Sequence, residues 1–407
     1  MMLIESFTNS HIDNILSCLR LRPDKMVMVG NADEMREPVK RYEKLLAERG
    51  LATRISECDV YGKDLREICN ALYDLVRAEE DCVIDLTGGD ELVMMAVGAM
   101  LAGMEASERQ RIRVEKLDRH TGRVFDCMNR YCALPGEAVA LTVDELLALH
   151  GGVLHPSTYQ PPMDCSYKDL ERLWRMASGK PKKWNQSVAV LNEFESWADS
   201  KMQVYLPLEY VRGDIHNFYQ NESLVREFLE RLQHCGVIAD QSNRYALEYT
   251  YTSPMMRHCL EKAGNMLEVK TLLEGRAVKE NGKPFFQDCR MGVNIDWDGI
   301  IYDPEEQVPE TRNEIDVLLI HDATPLFISC KNGNVQEDEL FKLHTVATRF
   351  GGPNARKMLI ATDLDGKNPA SVRALIQRAW DMDIIFVTDV AELSHEQWQQ
   401  ILMRAVQ

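Results

Sequence analysis

Short apolar runs alternate with longer amphipathic stretches over the first part of the chain. Strands are predicted at residues 2–8, 25–30, 52–60 and 82–86, and each is followed by apolar residues at helical spacing. Such alternation predicts a parallel sheet with helices on both faces. Residues 111–117 and 123–128 flank Thr121 and Gly122 and predict a closing hairpin. The N-terminal part is therefore predicted to be an α/β domain.

The pattern changes in the middle of the chain. Residues 151–165 are rich in turn formers and predict a linker. Helices are predicted at 167–177, 186–199 and 223–233, and the last is followed by a turn and a strand at 245–251. A helix followed by a hairpin is typical of a winged helix, which binds DNA or connects domains. Because the helix carries Glu222, Glu227 and Glu230 against only Arg226 and Arg231, we favour a connector.

The last part of the chain again mixes strand and helix patterns. A helix is predicted over 255–273 with its stop at Gly275, then a strand at 287–297 and two strand runs within 313–331. A helix at 335–350, a strand at 357–362, a helix at 370–380 and a strand at 384–387 follow. This order predicts a restriction-endonuclease-like α/β domain. The three predicted domains are 1–155, 156–250 and 251–407.

Composition limits the classes of function that the chain can have. Its 407 residues are long enough for two or three domains, and no unbroken apolar run approaches a membrane span. The N-terminus lacks the features of a signal peptide, and the 11 scattered cysteines lack a Cys-x-x-Cys pair, so a cytoplasmic, reduced protein is predicted. The net charge of −17 argues against a large non-specific nucleic-acid footprint, but a nuclease needs only a locally basic groove.

Small polar residues follow three of the N-terminal strands. Free backbone N–H groups at the helix starts that come next suit phosphates, and ligands of such sheets bind at the carboxyl ends of the strands. The alternative is that these are ordinary turn and cap residues. Dinucleotide and P-loop fingerprints are absent, which lowers the case for a small-molecule enzyme. The candidate ligand residues are Thr8, Asn9, Ser10, Gly30, Asn31, Thr87, Gly88, Gly89 and Asp90.

The hairpin predicted within 313–331 carries the candidate catalytic chemistry. Strand alternation puts Asp316 on one face of the first strand and Lys331 on one face of the second, so the two side chains meet if the register allows. A carboxylate there would bind Mg²⁺ or Mn²⁺, and Lys331 would stabilise charge on a phosphate. Glu268, on the preceding helix, is the natural second ligand. The alternative is that all three are ordinary surface charges of a sheet and a helix.

Five short motifs resemble a family of CRISPR ancillary nucleases. They are Leu-Thr-Gly-Gly-Asp at 86–90, Asn-Glu-Ile-Asp-Val at 313–317, Phe-Ile-Ser-Cys-Lys-Asn-Gly at 327–333, Leu-Phe-Lys-Leu at 340–343 and Arg-Phe-Gly-Gly at 349–352. The resemblance implies a Rossmann-like N-terminal CARF domain, a winged-helix-like connector and a C-terminal (D/E)xK nuclease domain. It implies a homodimer with one shared pocket for a cyclic oligoadenylate, most often the tetra-adenylate and otherwise the hexa-adenylate. Ligand binding would complete a Mn²⁺- or Mg²⁺-dependent cleft that cuts single-stranded RNA, DNA or both.

The resemblance also assigns roles to single residues. Glu268 and Asp316 match metal ligands, and Lys331 matches the catalytic lysine. Ser329 departs from the family pattern, which has a carboxylate at this position. Either Glu268 and Asp316, helped by Glu314, Glu337 or Glu339, suffice for the metal, or the domain is weakened. A working antiviral-defence nuclease is the preferred reading, and a ligand-responsive winged-helix regulator with a degenerate nuclease domain is the alternative.

Overall fold

The computed structural model describes most of the chain. The described residues are 1–118, 123–129, 132–134, 138–158, 160, 162–299, 312–333, 335–362, 364 and 368–407. The turn predicted at Thr121 and Gly122 lies outside them. Within the described part of the chain, every helix is too short or too polar to cross a bilayer.

The N-terminal region is built on a seven-stranded sheet in the order β3-β2-β1-β4-β5-β6-β7. Strands β1 to β5 run parallel, and β6 and β7 close the edge by antiparallel pairing. Helices α1 and α2 cover one face and α3 and α4 cover the other, as the alternation of patterns predicted. Strand order reverses at β1, which is the point where ligands of such sheets bind. The elements are β1 Met2–Ser6, α1 Asp13–Leu21, β2 Lys25–Gly30, α2 Ala32–Glu48, β3 Arg54–Asp59, α3 Leu65–Arg77, β4 Cys82–Asp85, α4 Glu91–Gly103, α5 Ala106–Arg109, β5 Ile112–Asp118, β6 Arg123–Asp126 and β7 Cys132–Ala133.

The connecting region is a helical layer on a small antiparallel sheet. The sheet has the order β10-β11-β9, and Trp184 and Phe228 pack edge to face between two of its helices. Helix, turn and strand pair thus follow one another as predicted for a winged-helix-like unit. The elements from residue 143 to 251 are α6 Val143–Leu149, β8 Val153–Leu154, α7 Tyr167–Gly179, α8 Pro181–Glu195, β9 Gln203–Pro207, α9 Phe218–His234, β10 Ile238–Asp240 and β11 Ala246–Tyr251.

The C-terminal region is built on a six-stranded mixed sheet in the order β18-β17-β16-β15-β14-β8. Strands β14, β15 and β16 are antiparallel neighbours, and β16, β17 and β18 run parallel. Helices α11 and α14 pack on one face and α12 on the other. The elements are α10 Pro254–Glu261, α11 Asn265–Ala277, β12 Lys279–Glu280, β13 Lys283–Pro284, β14 Asp288–Asp296, β15 Arg312–His321, β16 Thr324–Lys331, α12 Glu337–Gly351, β17 Arg356–Ala361, α13 Pro369–Asp381, β18 Ile384–Val387 and α14 His395–Val406.

Two local expectations were wrong. The predicted helix 255–273 is two helices, because the chain breaks at Lys262 and restarts beyond Gly264. Gly275 lies inside α11 and not at its C-terminal end. A Cβ added at Gly275 would lie 2.9 Å from Leu319, so the glycine permits close packing of the helix on the sheet.

The predicted linker also contributes structure. Its residues Val153–Leu154 form β8 and pair with β14, so the chain joins the C-terminal sheet before residue 155. Helix α6, just ahead of it, contributes to a single apolar core with α2 and with α12. The N-terminal and C-terminal sheets are therefore joined by continuous packing through α6. The three domain boundaries stay a prediction.

Candidate active site and ligand cleft

The hairpin of β15 and β16 brings Asp316 next to β16. Antiparallel pairing runs from His321 opposite Thr324 to Val317 opposite Ile328. At Asp316, the residue before Val317 in β15, the side chain and not the backbone bonds to β16. Its Oδ2 accepts from the Cys330 backbone N–H at 2.6 Å and from the Ser329 hydroxyl at 3.1 Å. The strands thus end their pairing at the place where the carboxylate is held.

Lys331 lies at the end of β16, within reach of two carboxylates. Its Nζ is 3.8 Å from Asp316 Oδ2 and 2.9 Å from Glu339 Oε2 on α12. Burial alone would lower the pKa of Lys331, but the charges of Asp316 and Glu339 outweigh it, and the net pKa lies above the usual value. The ammonium group is therefore charged at neutral pH and fixed in direction.

Glu268 approaches Asp316 from the other face of the sheet. It lies in the first turn of α11 and is half-buried. Burial, then the charges of Asp316 and Glu314, raises its pKa to about 8. Burial also raises the pKa of Asp316, against the opposing influence of Lys331. Glu268 and Asp316 are partly desolvated and repel each other when both are ionised. A divalent cation bound between them would remove this repulsion.

The other carboxylates named from the sequence are placed differently. Glu314 is exposed, with its nearest described cation, the Lys262 ammonium, 4.0 Å away. Glu337 pairs with Arg378 at 3.3 Å and does not reach the lysine. Among the described residues, no group of three or more His, Cys, Asp and Glu side chains is placed to hold a metal ion. The structure thus brings together Glu268, Asp316 and Lys331 and adds Glu339.

Glu339 was only weakly indicated by its place in the sequence. It is one of three acids, with Glu314 and Glu337, that could compensate for the carboxylate absent at position 329. Its actual contact is with Lys331, since α12 crosses the sheet with its first turns above the end of β16. That crossing depends on helix–sheet packing, which residue spacing does not specify.

A cleft of about 450 Å³ opens at the carboxyl ends of the first strands of the N-terminal sheet. Asn31 caps α2 by accepting from the Asp33 N–H at 3.1 Å, and Asp90 caps α4 by accepting from the Leu92 N–H at 2.8 Å. Both helix starts therefore point backbone N–H groups toward the cleft. Six of the nine predicted ligand residues line it: Thr8, Asn9, Gly30, Asn31, Gly89 and Asp90.

The other three predicted residues, Ser10, Thr87 and Gly88, are not in the cleft lining and lie in the loops that carry it. Ser10 is buried, and the Thr87 hydroxyl accepts a hydrogen bond from the Leu117 N–H at 2.9 Å. An added Cβ at Gly88 would lie 2.7 Å from the Thr8 methyl group, so the two loops touch only because residue 88 has no side chain. These residues shape the loops that carry the lining.

The loop after β3 supplies cleft residues that the sequence reading did not include. Val60, Tyr61, Gly62 and Lys63 all line the cleft, and 76% of the Tyr61 side chain is exposed. The Lys63 ammonium donates to the backbone carbonyl of Asp59 at 2.5 Å. Tyr-Gly-Lys after a strand was an available signal, because it marks a fourth strand end at the same edge of the sheet.

Comparison with known proteins gives relatives in fold only. No family model and no curated protein matches the sequence. The crystal structure of protein VC1899 from Vibrio cholerae superposes with a TM-score of 0.72 at 15% identity, covering 100% of this chain and 98% of that chain. Can2 from Sulfobacillus thermosulfidooxidans, solved in complex with cyclic tetra-adenylate, gives 0.67 at 14% identity and covers 100% of this chain and 99% of that chain.

A third structure is only partly similar. A Type III CRISPR defence DNA nuclease activated by cyclic oligoadenylate gives a TM-score of 0.47 at 16% identity, covering 89% of this chain and 45% of that chain, and a score this low establishes no shared fold. The two full-length matches are sufficient for the fold. The chain has the α/β fold of VC1899 and Can2 from end to end, which confirms the predicted fold class and the fold expected from the resemblance.

Proposed function

We propose that the chain is a divalent-metal-dependent nuclease of CRISPR defence, switched on by a cyclic oligoadenylate, with cyclic tetra-adenylate as the first candidate. The single observation that carries the proposal is the meeting of Glu268, Asp316 and Lys331 at the open end of the β15–β16 hairpin. Two carboxylates that repel each other do not stabilise the sheet. Beside a fixed ammonium group, they are an arrangement that can bind a cation and a phosphate. Single-stranded RNA or DNA is the proposed substrate.

The residues at the site fit a hard dication. Mg²⁺ and Mn²⁺ prefer oxygen ligands, and Mg²⁺ is commonly bound by one or two carboxylates while keeping several waters. Glu268 and Asp316 would hold it. When bound, such an ion supplies a Lewis acid and a water of lowered pKa. The raised pKa of Glu268 follows from burial and from neighbouring carboxylates, and a cation between the carboxylates would remove the second cause.

Ser329 has a role that needs no carboxylate. Its hydroxyl donates to Asp316 Oδ2, and the Cys330 N–H donates to the same oxygen. These two bonds orient the carboxylate and leave Oδ1 as the oxygen available to a cation. Ser329 therefore acts as a positioning residue, and its departure from the family pattern is compatible with a working site.

Lys331 would stabilise charge on the phosphate that is cut. Its charge at neutral pH and its ion pair with Glu339 fix an N–H donor beside Asp316. A phosphodiester in the groove would accept from this donor as negative charge builds on its oxygens. Removing one such donor from an active site costs roughly 10² to 10³ in rate.

The N-terminal cleft suits the proposed activator. Backbone N–H groups at the starts of α2 and α4 favour phosphate oxygens, and Lys63 adds a positive charge. The exposed ring of Tyr61 offers a face on which an adenine base can stack. Can2, which has the same fold, was solved with cyclic tetra-adenylate.

A homodimer would place two such clefts together. Helix α4 borders the cleft and leaves Leu92 and Met95 exposed on its outer face, with 60% of Met95 accessible. An isologous dimer has a twofold axis, and a ring of four identical nucleotides has one as well. We propose that the two α4 faces meet at this axis and that the ring binds across both clefts.

The test uses the full-length protein, Mn²⁺ and labelled single-stranded RNA and DNA, with cyclic tetra- or hexa-adenylate added or omitted. Cleavage is expected only when metal and one of the ligands are both present. Asp316→Asn should abolish it, Ser329→Ala should lower it by about tenfold or less, and Asp338→Asn, an exposed acid on α12, should leave it unchanged. Tight ligand binding without cleavage of any substrate would instead favour the regulator with a degenerate nuclease domain.

A further inference from the structure

The motif Arg-Phe-Gly-Gly at 349–352 lies where the N-terminal and C-terminal sheets are joined. It ends α12 and faces the end of α6, where His150 and Gly151 follow the helix. An added Cβ at Gly352 would lie 3.6 Å from His150 Nε2. The motif is about 15 Å along α12 from Glu339, at a rise of about 1.5 Å per residue, so it is not part of the catalytic cluster.

Two guanidinium groups from different domains meet at this junction. A Cβ at Gly151 would lie 3.4 Å from Arg41 Nη1 and 4.0 Å from Arg349 Nη2, so the two nitrogens are at most 7.4 Å apart. Arg41 comes from α2 and donates through Nε to the Leu149 carbonyl at 3.1 Å. Arg349 comes from α12 and is largely exposed.

Among the described residues, neither arginine has an ion-pair partner. The carboxylate that influences Arg41 most is Glu37, which is exposed and pairs with Lys40 at 2.6 Å. Burial, and to a smaller extent the charge of Arg349, lowers the pKa of Arg41. The fold thus holds two like charges close together, at a cost in free energy that a counter-charge would remove.

Two histidines complete the junction, and neither contributes a negative charge. His150 is 3% exposed; its Nδ1 donates to the Leu146 carbonyl at 2.9 Å, while its buried Nε2 has no hydrogen-bond partner among the described residues. His11 packs against it edge to face, and its Nδ1 is bonded to the Tyr42 hydroxyl at 2.8 Å. Asn14 Nδ2 donates to the same hydroxyl at 3.0 Å. Burial, followed by the charges of His150, Arg41 and Arg349, lowers the pKa of His11 to about 3, so its ring is neutral at pH 7.

We propose that Arg41 and Arg349 form a binding site for a phosphate group at the junction of the two sheets. Two guanidinium nitrogens within 7.4 Å can each place an N–H on an oxygen of one phosphate, since charge-assisted bonds of this kind are about 2.7–2.9 Å long. An anion held there would contact α2 of the N-terminal domain and α12 of the C-terminal domain together. The site is distinct from the strand-end cleft and does not depend on the proposed nuclease activity.

The phosphate could come from a nucleic-acid strand or be free in solution, and the probe is therefore inorganic phosphate. Melting temperature and calorimetric binding are measured on the full-length protein without metal or cyclic oligoadenylate, against chloride at equal ionic strength. Phosphate should raise the melting temperature of the wild type. Arg349→Gln should bind phosphate at least about tenfold more weakly, and Arg349→Lys should restore part of the affinity. Arg36→Gln, which removes an exposed charge from α2, should bind as the wild type does.

Two further comparisons make the result decisive. Arg349→Gln removes one of two like charges, so its melting temperature in chloride should be no lower than that of the wild type, and lost binding is then not lost folding. Competition with a single-stranded oligonucleotide identifies the source: displacement of phosphate points to a nucleic-acid backbone, and no displacement points to free phosphate. The proposal is wrong if phosphate and chloride affect the wild type equally, or if Arg349→Gln responds to phosphate as the wild type does.

Discussion

Replacing Glu268 by Gln should stabilise the metal-free protein and abolish its response to Mn²⁺. The pKa of Glu268 is raised to about 8 from an ordinary value of 4.5, so the folded state holds a proton that the unfolded state releases above pH 4.5. Stability that Glu268 contributes is fully present below pH 4.5 and is lost as pH rises toward 8. Gln resembles the protonated acid and does not titrate, so the variant avoids this loss.

The size of the effect follows from the two pKa values. At pH 7 the loss is 1.36 kcal/mol for each of the 2.5 pH units above 4.5, or about 3 kcal/mol as an upper bound. Chemical denaturation in EDTA should therefore show Glu268→Gln to be more stable than the wild type by up to about 3 kcal/mol at pH 7, with the difference vanishing near pH 4.5. Titrating groups that do not interact with Glu268 cancel in the comparison because both proteins carry them.

Metal addition gives the second half of the test. Mn²⁺ should stabilise the wild type at pH 7 and leave Glu268→Gln nearly unchanged, because an amide oxygen is a weaker ligand than a carboxylate. Glu337→Gln is the matched control: this acid is exposed, pairs with Arg378, and should change stability by less than about 0.5 kcal/mol. A Glu268→Gln protein that is less stable than the wild type in EDTA at pH 7, or that Mn²⁺ stabilises equally, would refute the reasoning.

Three further outcomes are expected. Lys331→Met should lower single-turnover cleavage by about 10² or more while Mn²⁺ still raises the melting temperature; equal rates would rule out a catalytic lysine. Gly89→Ala should weaken cyclic tetra-adenylate binding in calorimetry by about tenfold or more, since Gly89 has φ +118 and an added Cβ would overlap the Ser6 side chain; unchanged affinity would place the ligand elsewhere. Lys270→Met should cost about 2–3 kcal/mol in urea denaturation, because it removes the ammonium group 2.8 Å from the buried Glu274 carboxylate, which keeps hydrogen bonds to His395, Gln399 and Tyr167; a loss below about 1 kcal/mol would contradict that account.

Much of the fold could be predicted because the relevant signals are local. A period of two residues along β15 and β16 places Asp316 and Lys331 on faces that can meet, and the side chains of Asn31 and Asp90 mark helix starts by capping them. The single predicted helix 255–273 failed for the opposite reason. Its break at 262–264 interrupts an apolar pattern that continues on both sides, so periodicity does not reveal it.

By itself, the sequence determined which residues form strands and helices, and which side chains sit at strand ends and on hairpin faces. Those properties depend on neighbours along the chain. Only the tertiary structure decided that Glu268 reaches Asp316, that Glu339 holds Lys331, and that Arg41 of α2 and Arg349 of α12 both reach Gly151. These contacts join elements far apart in sequence, and their distances depend on how the helices pack on the sheets. A hydrophobic pattern determines which face of a helix is buried but not where along the sheet that helix packs.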